Sequence, residues 1–154
     1  MARKTISVHV VGALGTEEAL ASGTVKPGHL IETIDGRVRR HATAGGNAEK
    51  AIAIEASSED GGTVNVEYAD GELVYYRIFQ SGEHGLVRIA NGEAVEEDDF
   101  LESNGDGTFR IVDPDPSVQA VKVASILARS LEDCDMSGSN AADVPGGFCL
   151  VRFL

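Results

Sequence analysis

Short runs in which apolar and polar residues alternate recur along the chain and predict β-strands. Thr5–Val10 is apolar at every second position from Ile6 onward, and Val64–Tyr68 shows the same period of two. Phe148–Leu154 alternates as well. Because a terminal strand that ends in leucine is usually paired, we expect this last run to close a sheet.

Turns that contain glycine separate these runs. Asp35-Gly36 and Asp70-Gly71 each lie between apolar stretches and predict tight hairpins, because aspartate and glycine tolerate positive φ angles. The stretch Gly82–Val112 reads as strand, turn, strand, turn, strand, with its turns at Asn91-Gly92 and Asn104–Gly107. Hairpin connections therefore dominate the expected topology.

Three other segments are harder to assign from their pattern. Thr16–Ala21 fits a helical turn that Gly23 would close. Ala51–Ile54 fits a strand or a short helix. Residues 120–131 fit a helical face and a strand equally well, because helix propensity there opposes the surrounding β pattern.

These patterns predict a mainly β fold: one compact, sandwich-like or barrel-like domain with many short strands and hairpin turns. A length of 154 residues suits a single domain that buries a hydrophobic core. Hydrophobic residues make up 42% of the chain, which excludes wholesale disorder. The 18 glycines lie mostly in turn-like dipeptides, which favours strands over helices.

The net charge of −12 is unevenly spread. Residues 1–50 hold seven Lys/Arg and five Asp/Glu, whereas residues 51–154 hold the other six Lys/Arg and twenty Asp/Glu, including the run Glu96–Asp99. Such a surface repels nucleic acid and anionic membranes, and no apolar run approaches the roughly 20 residues of a membrane span. We therefore expect neither nucleic acid nor membrane as a partner.

One basic cluster stands out in this acidic chain: Arg37, Arg39, Arg40 and His41. It lies on one arm of the hairpin predicted at Asp35-Gly36. The cluster fits either an ordinary solvated hairpin face or a patch that docks on an acidic partner.

The N-terminus carries the basic pair Arg3-Lys4 but no apolar signal core, so we expect the protein to be made and kept in the cytosol. In that compartment Cys134 and Cys149 are expected to be free thiols. A bridge between them stays open as an alternative, because they flank a loop and can face one another across a hairpin.

The sequence lacks the usual catalytic motifs. It has no Gly-x-Ser-x-Gly elbow, no phosphate-binding loop and no dinucleotide-binding glycine pattern. The four histidines are scattered singly, without Cys or His at metal-ligand spacing, and are interpreted as surface or turn residues. We therefore expect no enzymatic activity and no cofactor.

One stretch imitates the spacing of a calcium loop. Glu102, Asn104 and Asp106 supply oxygens at alternate positions, Gly107 follows, and Asp113 comes six residues later. The first ligand is Glu instead of Asp, the last is Asp instead of bidentate Glu, and the flanks read as strands. An ordinary acidic turn is the favoured interpretation, and no metal is assigned.

Several strings together resemble the capsid decoration proteins, also called cement proteins, of tailed bacteriophages. The similarity spans nearly the whole chain, although no string is as specific as a catalytic signature. The strings are Thr5–Val8, Gly23–Glu32, Val38–Gly46, Gly92–Val95, Phe100–Gly107, Ala128–Asp133 and Val151–Leu154.

This resemblance implies a compact β-rich domain over residues 13–154, preceded by an extended N-terminal arm over residues 1–12. It implies homotrimers on the outer surface of the virion capsid, near threefold or quasi-threefold junctions, assembled in the host cytoplasm. It favours a strand for residues 120–131. Because the family has no catalytic residues, none is assigned here.

The implied partner is the major capsid protein. An arm can add a strand to the edge of a coat-protein sheet, and basic side chains can supply charge complementarity. Two other classes stay open: a small β-domain enzyme or ligand-binding module, and another virion or tail component. The expected contact residues are Arg3, Lys4, Thr5, Ile6, Ser7 and Val8 of the arm, and Arg37, Arg39 and Arg40 of the hairpin.

Overall fold

A computed structural model describes residues 5–9, 15–56, 62–112, 123–139 and 147–154. Within these ranges the chain forms thirteen β-strands and one 3₁₀ turn (Val123–Ser125), and none of its helical segments is long and apolar enough to cross a bilayer. The strands are β1 (Ser7–His9), β2 (Glu17–Leu20), β3 (Ile31–Ile34), β4 (Arg37–Arg40), β5 (Ala51–Ala53), β6 (Leu73–Ile78), β7 (His84–Arg88), β8 (Ala94–Val95), β9 (Phe100–Ser103), β10 (Phe109–Ile111), β11 (Ala128–Ser130), β12 (Cys134–Asp135) and β13 (Phe148–Phe153).

The largest sheet has six strands in the order β1-β7-β13-β11-β9-β10, and every neighbouring pair is antiparallel. The C-terminal strand β13 lies inside this sheet, between β7 and β11. Cys149, Val151 and Phe153 point to the buried face, whereas Arg152 is exposed. The prediction that the terminal run is paired, with this alternation, is confirmed.

The other strands form a second group. β2, β6 and β5 make a three-stranded sheet, and β3 pairs with β4 in a hairpin. Single bridges, Ala21↔Val38 and Leu30↔Ile52, join the hairpin to the two sides of that sheet. Because these links are isolated bridges, the group is not a continuous barrel. The mainly β fold class is confirmed.

The core consists of two hydrophobic clusters, one for each group of strands. On the buried face of the six-stranded sheet, the rings of Phe79 and Phe153 stack with centroids 4.4 Å apart. Gly85 lies beneath this stack, where an added Cβ would come within 3.0 Å of the Phe79 ring. A residue without a side chain is therefore required at this position for the two rings to pack against β7.

A buried arginine fastens the two groups together. Arg88 of β7 donates from Nε to the Pro27 carbonyl at 2.8 Å and from Nη2 to the Val64 carbonyl at 2.9 Å. Its guanidinium carbon lies 4.4 Å from the centroid of the Phe148 ring. Since backbone carbonyls and an aromatic face satisfy this charge, Arg88 serves the packing and is not a surface cation.

Local turn chemistry gives the correct hairpin in two of the expected places. Asp35 and Gly36 have φ angles of 49° and 74°, and they connect β3 to β4 directly. The turn Asn104–Gly107 connects β9 to β10 in the same way. The segment Ala51–Ala53 is a strand, and within residues 120–131 the described part holds a 3₁₀ turn followed by strand β11.

Three expectations are wrong because distant partners override the local pattern. Thr16–Ala21 is not a helical turn, since Glu17–Leu20 pairs as a strand with β6. Val64–Tyr68 is not a strand: it begins with a turn, and only Tyr68 makes a bridge, to Val25. The turn at Asp70-Gly71 therefore leads into β6 without forming the expected hairpin.

Asn91-Gly92 makes a turn but not a hairpin. Ala90 N donates to the Phe109 carbonyl, and Gly92 N donates to the Met136 carbonyl. These contacts carry the chain out of the six-stranded sheet, so that β8 pairs with β12 and not with β7.

The described part of the expected arm is packed into the domain. Ile6 is fully buried in the larger core cluster, and Ser7 is opposite Gly85 in β7. Ile6 N donates to Glu55 Oε2 at 3.0 Å, and the Ile6 carbonyl accepts from Leu86 N at 2.8 Å. Ile6 is thus a core residue of the isolated chain, and its role as a capsid contact stays a prediction. The boundary at residue 12 lies outside the described residues.

We expect Ile6→Ala to lower the free energy of unfolding by about 2–5 kcal/mol, because it leaves a cavity in the core. The exposed neighbour gives the control: Thr5→Ala should change the value by less than about 0.5 kcal/mol. Urea unfolding of both variants measures the difference. If Ile6→Ala proves as harmless as Thr5→Ala, the segment is not packed into the core in solution.

Candidate functional site

The β3–β4 hairpin presents the basic surface that the sequence indicated. Arg37 and Arg40 are exposed, and neither makes an ion pair with another described residue, whereas Val38 between them is buried. The antiparallel register sets Arg39 opposite Glu32, and Arg39 Nε donates to Glu32 Oε1 at 2.8 Å. The Arg39 side chain of this ion pair is 41% exposed, so the ion pair adds little to the stability of the fold.

His41 does not belong to this surface. Its side chain is buried, with Nδ1 2.7 Å from Ser103 Oγ and Nε2 3.9 Å from Glu32 Oε2. The residue joins the hairpin to β9 and is unavailable to a partner. The basic patch therefore consists of Arg37, Arg39 and Arg40, and we call these three residues the hairpin patch.

A cavity of about 280 Å³ opens beside the hairpin patch. Arg40 forms one wall, and its stem packs over Gly107, where an added Cβ would lie 3.0 Å from the arginine Cβ and Cγ. Hydroxyl-bearing residues form another wall, so the cavity combines cationic and neutral donors. Its lining residues are Ser22, Gly23, Thr24, Arg39, Arg40, Ala42, Gly105 and Asp106.

Asp106 at the rim of this cavity is held as a carboxylate. Burial raises the pKa of Asp106, but hydrogen bonds from the hydroxyl and backbone N–H of Thr108, and from Asn104, outweigh burial and bring the pKa below its ordinary value. The Thr108 N–H donates to Asp106 Oδ1 at 2.9 Å. The carboxylate therefore accepts hydrogen bonds from within the β9–β10 turn and stabilises that turn.

A second cavity of about 280 Å³ lies beside β3 and has the opposite character. It is lined by Glu32, Glu49, Thr33, Tyr76 and their neighbours. The hairpin thus has a recess with two arginines on one side and a recess with two glutamates on the other. Such recesses suit charged side chains of a protein surface.

The calcium-like residues do not converge. Glu102 is buried, and its Oε1 accepts from Arg110 Nε at 2.9 Å and from Nη2 at 2.8 Å, while Oε2 accepts from Ser125 Oγ at 3.2 Å. Asp106 is engaged by Thr108. No group of three acidic, histidine or cysteine residues in the described ranges is placed to hold a metal ion. Asp113 lies outside those ranges.

The two cysteines are free and buried. A hydrogen bond with Cys134, together with burial, raises the pKa of the Cys149 thiol. Ser130 Oγ lies 3.1 Å from Cys149 Sγ. A protonated thiol in such surroundings is a packing group and a poor nucleophile.

The histidines are more buried than the sequence suggested. His29 is buried in the turn after Pro27, where its Nδ1 accepts from Lys26 N at 3.0 Å. With His41 also buried, two of the four are interior residues. The interpretation as surface or turn residues holds for His29, which is buried but lies in a turn, and is wrong for His41, which is an interior residue.

The N-terminal contact residues are only partly visible. Thr5 is exposed, Ile6 is buried and Ser7 is half-buried. Arg3, Lys4 and the side chain of Val8 lie outside the described residues. Among the described arm residues, Ser7 pairs with β7, which lies in a different sheet from the β3–β4 hairpin that carries the patch.

Sequence reasoning missed a second basic surface, on the exposed face of the six-stranded sheet. Arg129 and Arg152 lie opposite each other there, in β11 and β13. The available signal was the alternation of Phe148–Leu154, which places Arg152 on the face opposite to the buried residues. Arg129 lies in the segment 120–131, which fitted a helix and a strand equally well, so its face could not be assigned and the two arginines were not connected.

We expect the free energy of unfolding to fall as the pH drops below about 4, in part through Asp106. Its folded-state pKa lies below the ordinary value, so the carboxylate adds stability above that value and loses it as the pH falls through the folded pKa. Asp106→Asn should therefore lose less stability than the wild type over this range. Urea unfolding from about pH 6 to 2.5 measures this, and parallel curves for both proteins would contradict it.

Comparison with known proteins gives a likeness of fold. No protein-family model matches the chain, and no curated protein sequence matches it. Among solved structures, the chain is similar to the N base of the head fiber gp8.5 in bacteriophage phi29, with a TM-score of 0.56 and 14% sequence identity. The match covers 92% of this chain and 95% of that chain. At this identity it establishes a shared mainly β fold over nearly the full length of both chains.

Proposed function

We propose that this protein is a structural component of a tailed-bacteriophage head that binds the outer surface of the capsid as a decoration protein. One observation carries the proposal: over 92% of the chain, the fold is similar to that of the base of a phage head fiber. The resemblance of its sequence strings to capsid decoration proteins supports the same role. In this proposal the protein forms trimers at threefold or quasi-threefold junctions and holds the shell against the pressure of packaged DNA.

The hairpin patch is the proposed contact with the major capsid protein. Arg37 and Arg40 are exposed cations without an ionic partner in the described part of the chain, and Arg40 opens into a recess large enough for an acidic side chain. Single exposed ion pairs are weak, about 0.2–1 kcal/mol each. A trimer repeats them three times, and the linked contacts together then give a stable attachment.

The N-terminal segment is proposed to contribute through its strand edge and not through Ile6. β1 is an outer strand of the six-stranded sheet, and it pairs with β7 on one side. No strand in the described ranges pairs with its other edge, and a strand of the capsid protein could bind there through main-chain hydrogen bonds. Arg3 and Lys4, which precede this edge, would add positive charge.

The proposed role needs no catalysis, and the protein is proposed to be no enzyme. The titratable groups at the interior each have a structural partner: Glu102 with Arg110, Glu83 with Arg77, and His41 with Ser103. The acidic turn of Glu96, Glu97 and Asp98 is exposed. It would face solvent on the particle, where like charge keeps particles apart.

A second candidate is the base of a fiber that stands on the head. The likeness to the phi29 protein favours it, because 95% of that fiber base is covered. A fiber base and a decoration protein both attach to the capsid but differ in copy number and position. Immunogold labelling of intact particles separates them, since decoration covers the whole shell evenly and fibers occupy fixed, sparser positions.

We expect the purified protein to bind bare expanded capsids of its phage in fixed stoichiometry and to raise the melting temperature of those capsids. The double variant Arg37→Gln/Arg40→Gln should bind at least tenfold more weakly, because it removes two exposed ion pairs from each copy. Co-sedimentation and differential scanning calorimetry measure binding and capsid stability.

The matched control is Lys50→Gln/Arg152→Gln, which removes the same number of positive charges from outside the hairpin patch and should bind as the wild type does. Absence of binding at every salt concentration would contradict the proposed function. Equal loss of binding in the double variant and the control would leave the capsid role standing but contradict the hairpin patch as the contact.

A further inference from the structure

A row of cationic and aromatic side chains crosses the exposed face of the six-stranded sheet. The register sets His84 of β7 opposite Arg152 of β13, Arg152 opposite Arg129 of β11, and Arg129 opposite Phe100 of β9. Four successive strands thus place these four residues in one line, which we call the cationic row. At roughly 4.8 Å between strands, the line is about 14 Å long.

Phe100, Arg129 and Arg152 of the cationic row are accessible to solvent, whereas His84 at its end is half-buried. Phe100 is 48% exposed, which is unusual for a phenylalanine, and the Arg129 side chain is 39% exposed. Arg152 is exposed as well. The neighbouring positions Val151 and Leu101 on the opposite face are fully buried, so the period of two fixes the row on the outside.

The central pair of the row is unfavourable for the isolated protein. Arg152 and Arg129 are directly opposite in adjacent strands, and like charges in that position destabilise a sheet. Arg152 Nε donates to His84 Nε2 at 3.3 Å, which adds a hydrogen bond but no negative charge. Two opposed arginines in a chain of net charge −12 are therefore not explained by folding.

The protein itself shows which chemistry fits the row. Asp98 reaches over from the acidic turn and forms an ion pair with Arg129. Asp98 has a φ of 80°, a left-handed conformation that is uncommon outside glycine but that aspartate tolerates, and its N–H donates to the Ser130 carbonyl at 3.1 Å. The turn thus places one carboxylate over Arg129, while Arg152 has no carboxylate partner among the described residues.

We propose that the cationic row is a docking surface for an extended acidic segment of a partner protein. Carboxylates of that segment bind Arg152 and Arg129, and an apolar side chain of the segment packs on Phe100. The segment displaces Asp98, which occupies Arg129 when no partner is bound. About four to five extended residues span the row. The partner is a polypeptide and not a nucleic acid, because two arginines in a row of about 14 Å match a few carboxylates, whereas a continuous phosphate backbone needs a longer run of cations.

This surface is separate from the hairpin patch, and its test does not require a capsid. The probe is the peptide acetyl-Glu-Leu-Asp-Leu-Glu-amide, titrated into the isotope-labelled full-length protein at low salt and followed by amide NMR. The control probe is the same peptide with Gln and Asn in place of its acidic residues. We expect saturable shifts on β7, β11 and β13 with the acidic peptide only.

Removal of the arginines of the row and removal of Asp98 should change the affinity for the acidic peptide in opposite directions. Arg129→Gln/Arg152→Gln should weaken binding by at least about fivefold, and Asp98→Asn should strengthen it by about two- to fivefold, as expected for exposed ion pairs. Matched controls are Lys50→Gln, for loss of a cation outside both basic surfaces, and Glu96→Gln, for loss of a neighbouring acid in the same turn. Both should bind nearly as the wild type does.

A thermal melt separates docking from a purely structural role. If the row serves binding, Arg152→Gln should leave the melting temperature unchanged or raise it, because it removes a like-charge pair. A clear fall in the melting temperature would mean that Arg152 stabilises the sheet, and would overturn the proposal. Shifts that map to β3 and β4, an unchanged affinity in the double variant, or tighter binding of a thymidylate oligonucleotide than of the acidic peptide would also overturn it.

Discussion

The fold depends on the antiparallel ladder between β13 and β7. This ladder pairs Phe148–Arg152 with His84–Arg88, residue for residue, and so ties the C-terminus of the chain to its middle. It places β13 inside the largest sheet, where both of its edges are hydrogen-bonded. Gly85 lies within the same ladder and leaves room for the stacked rings of Phe79 and Phe153. Sheet, aromatic stack and core are thus consequences of one register.

The same register determines what the outside of the molecule presents. Because side chains alternate across a sheet, a ladder that buries Val151 must expose Arg152, and the neighbouring strand aligns Arg129 with it. The β3–β4 hairpin carries its own cations at a different place on the molecule. Two separate basic surfaces on a strongly acidic protein fit a component that joins other proteins, with one surface proposed for the capsid and the other for an acidic partner.

Local features of the sequence were predictable, and features fixed by distant partners were not. Asp35-Gly36 gave the right hairpin because its turn chemistry acts within a few residues. Asn91-Gly92 did not, because contacts to Phe109 and Met136 decide where the chain goes next. In the candidate site, Arg37 and Arg40 were identified from the clustering of basic residues in the sequence. The burial of His41 was not, since its partner is Ser103, 62 residues along the chain.

The central claim is that the protein works by binding to a capsid with an intact β domain. The most direct measurement is an electron cryomicroscopy reconstruction of capsids incubated with the protein. The account predicts trimeric density at threefold or quasi-threefold junctions, fitted by the six-stranded sheet as a rigid unit with the β3–β4 hairpin against the coat protein. Capsids without added density, or density in which that hairpin points away from the shell, would contradict it.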